Sequence, residues 1–201
     1  MLVHPWDAPT SDDEWRTWLA GQRVGTLVCP TDDLPVVVPT HFVWTGEHVL
    51  LHLARPNPAL AAVAARPRVL FSVHGDWAYV PSYAKVVPGE DPAHGIPTSY
   101  YAAVTLTCTA SLLEGPELLD LLRTQLGAFE PGSGVADPSV HERLLPGIRG
   151  LRLSVESVRA KFKYGGNADE AHRAVAVQLL HEQGNQAALE HLVRRTGRMR
   201  A

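Results

Sequence analysis

Cysteine is scarce in this chain, with only Cys29 and Cys108 among 201 residues. Both lie in apolar, strand-like runs and are far apart in the sequence, so we expect two buried free thiols and no disulfide framework. Free thiols indicate a reducing, cytoplasmic setting. Neither cysteine has an activating neighbour in the sequence, which argues against a thiol nucleophile.

Positive charge is not in excess either, since 18 lysines and arginines stand against 21 aspartates and glutamates. A net charge of −3 gives no support to a nucleic-acid binder whose affinity depends on overall basicity. Contact with DNA would be limited to a C-terminal arginine run, formed by Arg194, Arg195, Arg198 and Arg200. Cations also suit the C-terminal end of a helix, so we favour a solvated tail over a DNA contact.

Long apolar runs are absent, and the first residues, Met1 to Asp7, lack the basic stretch and apolar core of a signal peptide. We therefore expect no membrane span. Ten histidines are spread over the chain, and we predict no metal site from them. With 45% hydrophobic and 19% charged residues, the composition is that of a folded globular protein. The length predicts a single domain over residues 1–201, with C-terminal helices from about 168 to 201.

Strand-forming segments follow one another as hairpins and not in regular strand–helix alternation. This order predicts a mainly β, α+β fold, an antiparallel barrel with peripheral helices. No G-x-G-x-x-G stretch stands between a strand and a helix, which agrees with this fold class. The predicted strands are 24–29, 35–44, 48–54 (the hairpin partner of 35–44), 68–73, 77–80, 100–113 and 151–158. Helices are predicted after Ser11 and Asn57, over 116–129, briefly over 140–145, and from 168 with a break near Gly184.

The segment from Leu51 to Leu60 joins a strand to a helix at an arginine. Asn57 is a preferred N-cap residue, and Pro58 suits the first helical position. A helix N-terminus presents unpaired N–H groups, and Arg55 adds a full positive charge beside them. That combination suits a phosphate. An ordinary strand-to-helix turn with a solvated arginine explains the same residues.

A lysine pair follows the last predicted strand. In the extended segment Lys161-Phe162-Lys163, the two ammonium groups share one face, where either an anion or solvent separates them. Lysines at a strand edge also discourage aggregation, which is the alternative explanation.

Two other polar pairs stand where strands are expected. Thr40 and His41 interrupt an apolar strand, and a core histidine satisfied by hydrogen bonds is the ordinary explanation. Thr98 and Ser99 follow the long loop over 81–97, and loops of that length are often functional. Their hydroxyl groups suit a polar-edged ligand, and they suit any strand entry as well.

Taken in order, three motifs resemble those of a known family: Pro39-Thr40-His41, His52-Leu53-Ala54-Arg55-Pro56-Asn57-Pro58 and Lys161-Phe162-Lys163. The chain resembles the PaiB-type proteins, which are FMN-binding negative transcriptional regulators with the FMN-binding split β-barrel fold. The resemblance implies a homodimer with FMN at the subunit interface. The cofactor-binding residues that it implies are Thr40, His41, His52, Arg55, Asn57, Thr98, Ser99, Lys161 and Lys163.

The resemblance also implies a role for each group of residues. Arg55 and the amides after Asn57 would hold the FMN phosphate, while Thr40 and His41 would lie along the isoalloxazine ring or the ribityl chain. The lysine pair would add positive charge, and the two hydroxyl groups would add polar contacts. The chain departs from the family pattern at Ser99-Tyr100 and at Tyr164-Gly165-Gly166, which concerns the ring-side contacts more than the phosphate site.

The function that the resemblance implies is a flavin-dependent redox or regulatory protein. An FMN-dependent oxidoreductase or flavin reductase that acts on a small molecule is the alternative from the enzyme class, because FMN itself carries the redox chemistry. Its partner would be a nicotinamide cofactor or a small-molecule substrate. A haem-binding relative of the same barrel is a further alternative, with His41, His52 or His94 as candidate ligands.

Overall fold

The computed structural model describes residues 1–87 and 89–195. The chain forms two compact units, each built from separate stretches of sequence. Unit 1 contains Met1–Asp12, His74–Val104 and the chain from Arg159 onward, and unit 2 contains Asp13–Val73 and Thr105–Val158. Arg198 and Arg200 of the predicted arginine run lie outside the described residues.

Seven β-strands and five α-helices are present in residues 1–87 and 89–195. The strands are β1 (Val24–Cys29), β2 (Val36–His41), β3 (Val43–Trp44), β4 (His48–Ala54), β5 (Arg68–Val80), β6 (Thr98–Leu113) and β7 (Ile148–Lys163). The helices are α1 (Asp12–Gly21), α2 (Pro58–Ala65), α3 (Gly115–Phe129), α4 (Glu170–Glu182) and α5 (Gln186–Arg194). No described helix is both long and apolar enough to cross a membrane.

The strands form one sheet in the order β2-β1-β5-β6-β7-β4-β3. β1 lies antiparallel to both β2 and β5. β4 lies antiparallel to β7 along its whole length, from His48 opposite Ser154 to Ala54 opposite Ile148. The antiparallel sheet with helices around it confirms the predicted fold class.

The predicted strand over 35–44 is divided in the structure, because β2 ends at His41 and β3 begins at Val43. The predicted hairpin with 48–54 is therefore wrong for most of its length, since only Val43 and Trp44 pair with β4. Phe42, between the two strands, is fully buried, and its ring packs edge-on against Phe71. Burial of this ring fixes the point at which the chain leaves one neighbouring strand for another.

The predicted break between 68–73 and 77–80 is wrong, since both segments belong to β5. Asp76 has a φ of 52°, a left-handed conformation that aspartate tolerates better than most residues. The exposed side chains are even-numbered before Asp76 and odd-numbered after it, as at Leu70 and Trp77. This change of parity is what one extra residue in a strand produces, so the strand continues through a bulge instead of ending.

Two further expectations need correction. The helix predicted over 140–145 is replaced by 3-10 turns at Pro138–His141 and Leu145–Gly147. Lys161 and Lys163 belong to β7 and do not follow it. The two C-terminal helices form with their break at Gly184 as predicted, but Arg195 is fully buried and not solvated.

A glycine in unit 2 shows how closely the core packs. A Cβ atom on Gly25 of β1 would lie 2.5 Å from the ring of Phe71, which cannot move easily because it is buried against Phe42. Only a residue without a side chain fits at this position, and its presence lets β1 and the aromatic pair approach each other.

Candidate functional site

The turn between β4 and α2 has the geometry that the sequence predicts. Asn57 caps α2 by accepting a hydrogen bond from the Ala59 amide at 3.0 Å, and Pro58 takes the first helical position. Arg55 is exposed, and its guanidinium donates a long hydrogen bond, of 3.4 Å, to the carbonyl oxygen of Pro146. A guanidinium has five N–H donors, so Arg55 keeps ample capacity for an anion.

The first amides of α2 already have acceptors. The Ala59 N–H donates to the side chain of Asn57, and the Leu60 N–H donates to the backbone oxygen of the same residue at 3.1 Å. Pro58 has no N–H to offer. A phosphate at this turn would therefore depend on Arg55 more than on the amides after Asn57.

Thr40 and His41 lie at the end of β2, opposite Gly25 and Val24 of β1. The Thr40 hydroxyl donates to the His41 carbonyl oxygen at 3.3 Å. The ring of His41 packs edge-on against His52, with 4.9 Å between ring centres. Desolvation, with a smaller contribution from His52, lowers the pKa of His41 from its usual value and so favours the neutral imidazole.

His52 is oriented by a glutamine from α3. Its Nδ1 atom lies 2.7 Å from Oε1 of Gln125. Gln125 is almost fully buried, at 4% exposure, and its Nε2 atom donates to the carbonyl oxygen of Leu50 at 3.4 Å. This second bond determines which end of the amide faces the imidazole, because a carbonyl oxygen can only accept.

A cavity of about 480 Å³ lies beside the two histidines in unit 2. One wall is a face of α3 formed by Leu122, Gln125, Leu126 and Phe129, at the i, i+3, i+4, i+7 spacing of a helix face. The opposite wall comes from the segment between Val135 and Ile148. Apart from Gln125 and the histidines, the lining is apolar, which is typical of small-molecule sites.

The second wall of this cavity is tied to α3 by an ion pair. Arg123 donates through Nε and Nη2 to the two carboxylate oxygens of Asp137, at 2.7 and 3.1 Å. Asp137 also accepts from the Ser139 amide, which caps the 3-10 turn that carries His141. The guanidinium and this cap hold the pKa of the Asp137 carboxyl well below its usual range.

Gln125 and the cavity are functional features that were not predicted from the sequence. The signal was present in the spacing of residues 122, 125, 126 and 129, where a glutamine takes a position on an otherwise apolar helix face. A buried glutamine needs a polar partner. The partner of Gln125 is His52 of β4, which lies 73 residues earlier in the chain. Local sequence patterns do not connect His52 to α3.

The lysine pair lies in unit 1 and shares one face, as the sequence predicts. The two ammonium nitrogens lie 5.8 and 5.9 Å from the ring centre of Tyr101. Lys163 donates to the Thr98 hydroxyl at 2.8 Å. Lys161 is buried, and its ammonium lies 3.6 Å from the Asp7 carboxylate and donates to the Leu2 carbonyl oxygen. Lys161 therefore has a charged partner within the protein.

A third lysine belongs to this group. Lys85 ends the 3-10 turn Ser82–Lys85, and its burial, together with the charge of Lys163, lowers the pKa of its ammonium group. Ser99 lies half-buried at the start of β6, next to Thr98. Thr98, Lys163 and Tyr101 therefore lie together in unit 1. His41 and His52 lie in contact in unit 2. His94 belongs to unit 1.

The departure from the family pattern at Tyr164 and Gly165 has a structural explanation. The Tyr164 hydroxyl donates to the Asp76 carbonyl oxygen at 2.9 Å, and its ring stacks on His191. Gly165 has a φ of 66°, and a Cβ atom there would lie 2.5 Å from the hydroxyl of Tyr100. These residues hold the interior of unit 1 together.

The antiparallel sheet with its peripheral helices is the fold of the flavin-binding split barrels. The chain belongs to the family described as "Putative FMN-binding domain", whose model matches residues 1–157. FMN is accordingly its cofactor, and Arg55 offers an exposed guanidinium that fits the phosphate of FMN. The matched range ends before Lys161 and Lys163.

Similar proteins support the same fold. The chain is 26% identical, over 197 residues, to protease synthase and sporulation protein PAI 2 of Bacillus subtilis, covering 92% of this chain and 91% of that protein. The FAD and heme binding protein from Mycobacterium smegmatis matches with a TM-score of 0.65 and 20% identity, over 78% of this chain and 73% of that one. The flavocytochrome Anf3 from Azotobacter vinelandii matches with a TM-score of 0.66 and 18% identity, over 84% and 75% of the two chains.

Proposed function

We propose that this FMN-binding protein is a flavin-dependent redox or regulatory protein that holds the FMN phosphate through Arg55. The observation that carries the proposal is the exposed guanidinium at the turn between β4 and α2, which has only a long bond to the Pro146 carbonyl oxygen. Bound FMN supplies the redox chemistry, and the protein binds and orients it. Arg55 would fix one end of the cofactor by a charge-assisted, bidentate contact.

Arg55→Ala tests this assignment by comparing FMN with riboflavin, which lacks the phosphate. A charge-assisted contact contributes about 1.5–3 kcal/mol, so the Kd of FMN should rise about 10- to 100-fold while that of riboflavin changes little. Fluorescence titration measures both constants. The matched control is Arg66→Ala, at the other end of α2, because Arg66 is already paired with Asp32. An equal loss for both flavins would contradict the phosphate assignment.

We infer a homodimer from the exposed aromatic side chains of unit 1. Trp77, Tyr79 and Tyr83 are 63, 48 and 60% exposed. Trp77 and Tyr79 are alternate residues of β5 and so share one face, and exposed apolar surface marks association sites. A second copy of the chain is the partner that the resemblance implies. Sedimentation should give about twice the chain mass of 21.9 kDa. Trp77→Ser combined with Tyr83→Ser should return the mass to that of one chain, and an unchanged mass would remove these residues from the interface.

We propose haem binding as a second candidate function, favoured by the histidine-lined cavity of unit 2. Its apolar walls suit the faces of a porphyrin, and an imidazole is a common axial ligand of haem iron. Its volume of about 480 Å³ is within the range of small-molecule sites. One of the proteins with a similar fold is itself a FAD and heme binding protein. Addition of ferric haem to the purified protein should shift and sharpen the Soret band if the cavity binds it.

A further inference from the structure

We propose that His52 is the axial ligand of this haem and that Gln125 is the positioning residue that sets its ring. The inference rests on the proposed haem-binding function and names the atoms responsible for it. It depends on three features of unit 2: the tautomer of His52, the number of donor groups at the cavity, and the difference between His52 and its neighbour His41.

The tautomer of His52 follows from the bonds of Gln125. Because Nε2 of Gln125 donates to the Leu50 carbonyl oxygen, Oε1 is the atom that faces Nδ1 of His52 at 2.7 Å. An amide oxygen only accepts, so Nδ1 carries the hydrogen and Nε2 keeps its lone pair. A histidine that ligates a metal has this arrangement, with one ring nitrogen donating to an oxygen and the other binding the metal. Reversing the amide would place two carbonyl oxygens against each other.

The number of protein side chains that can bind a metal at the cavity favours a metal held in a cofactor, because the cofactor supplies most of the metal's ligands. Zinc and similar ions need three or four protein ligands, and residues 1–87 and 89–195 contain no group of three histidine, cysteine or acidic side chains placed to bind an ion. The three histidines that line the cavity, His41, His52 and His141, form no such group, so they do not provide a site for a bare ion. Haem iron has four porphyrin nitrogens and requires one or two more ligands, which matches what the apolar cavity offers.

His52 is a better ligand than His41 because only His52 is held in place. The His41 ring makes edge-on ring contacts with His52 and Phe129, which do not select one ring nitrogen. His41 is also exposed, whereas His52 is half-buried against a nearly fully buried glutamine. An oriented ligand loses less conformational freedom when the metal binds.

The experiment is a titration of ferric haem into the full chain and its variants, followed by absorption spectra. His52→Ala should lose the ligand-shifted Soret band and bind haem about 10- to 100-fold more weakly. Imidazole added to His52→Ala should restore the band, which a merely structural role for His52 would not allow. His48→Ala is the matched control, because His48 is at the other end of the same strand, and it should behave as the wild type. His41→Ala removes the neighbouring imidazole and keeps the proposed ligand, so it tests which of the two histidines binds the iron.

Two substitutions of Gln125 test its positioning role without removing the ligand. Gln125→Glu gives Nδ1 a stronger acceptor and should lower the midpoint potential of the bound haem, while Gln125→Leu removes the acceptor and should raise it. Spectroelectrochemical titration measures both. Circular dichroism checks that each variant is folded.

The outcomes separate the inference from the function on which it rests. A wild-type protein that leaves the spectrum of free haem unchanged refutes haem binding, and the axial ligand with it. A wild-type band that survives in His52→Ala, or that is lost in His41→Ala instead, leaves haem binding intact and refutes the assignment of His52. Equal potentials in the two Gln125 variants would refute the positioning role of that residue.

Discussion

The interiors of the two units differ in the side chains that they bury. Unit 1 encloses charged groups, since Asp7, Lys161, Arg173, His191 and Arg195 are each less than a tenth exposed. Unit 2 also buries a charged residue, Glu14, but its cavity is apolar, with a glutamine and three imidazoles as its polar groups. The buried charges of unit 1 must find partners within the protein, whereas the cavity of unit 2 suits a flat apolar ligand.

The same strand contributes to both interiors. β7 places Leu151 and Leu153 in the core of unit 2 and continues to Lys161 and Phe162 in unit 1. Both ends belong to one strand, and they differ in the side chains that they bury. One β-strand can therefore place side chains of different chemical character in each unit.

The buried charges of unit 1 have partners within the unit. The Arg195 guanidinium lies 5.0 Å from the ring centre of Phe162 and donates to the His191 carbonyl oxygen, while Arg173 donates to the carbonyl oxygens of Ala168 and Arg195. Buried cations are stable only when such donors find acceptors. The charges of unit 1 therefore contribute to its structure, and a lysine there is not a flavin contact merely because it is positive.

The largest effect that we predict in this comparison is that of Lys161→Met. The Asp7 carboxylate, with its side chain 5% exposed, would stay buried without its cation. Breaking a buried ion pair by removing one partner costs about 3–5 kcal/mol of unfolding free energy. Chemical denaturation measures this loss.

Two controls sharpen the test of Lys161. Adding Asp7→Asn to Lys161→Met removes the unpaired charge and should recover most of the stability. Arg149→Met in unit 2 breaks a pair with Glu114, whose side chain is 62% exposed, and should cost less than about 1 kcal/mol. Equal losses in Lys161→Met and Arg149→Met would mean that the buried Asp7 carboxylate matters no more than the exposed carboxylate of Glu114.

Local structure could be predicted where one short segment contains the whole cause. The start of α2 is an example, because Asn57 and Pro58 act on the amides directly after them. The shared face of Lys161 and Lys163 is another, since it follows from the period of a strand.

Features that depend on distant residues could not be predicted in this way. The division between β2 and β3 depends on the packing of Phe42 against Phe71, and the orientation of His52 depends on Gln125. The pairing of β4 with β7 joins residues about a hundred positions apart. Nothing in the local pattern of either partner identifies the other, so the cavity of unit 2 became visible only in the structure.

A smaller effect concerns the interior of unit 2, which contains both thiols. Burial raises the pKa of Cys29 from 9.0 to about 11, and burial together with the Glu156 carboxylate raises that of Cys108 to about 12. As the pH rises above about 9, the thiols of the unfolded chain ionise first and favour unfolding. The contribution of the two buried thiols to the free energy of unfolding is therefore complete below pH 9, and it declines as the pH rises to about 11–12.

Thiol reactivity tests this interior without unfolding the protein. The thiolate is the reactive form, and a rise of two pKa units lowers its population at pH 8 by a factor of about 100. Ellman's reagent should therefore react with folded Cys29 at least about 100-fold more slowly than with the unfolded chain, and more slowly still with Cys108. Cys29→Ser and Cys108→Ser assign the two phases. If the thiols of the folded protein react at the same rate as those of the unfolded chain, water and base reach the interior of unit 2. The proposed difference between the interiors of the two units would then be wrong for the region around the thiols.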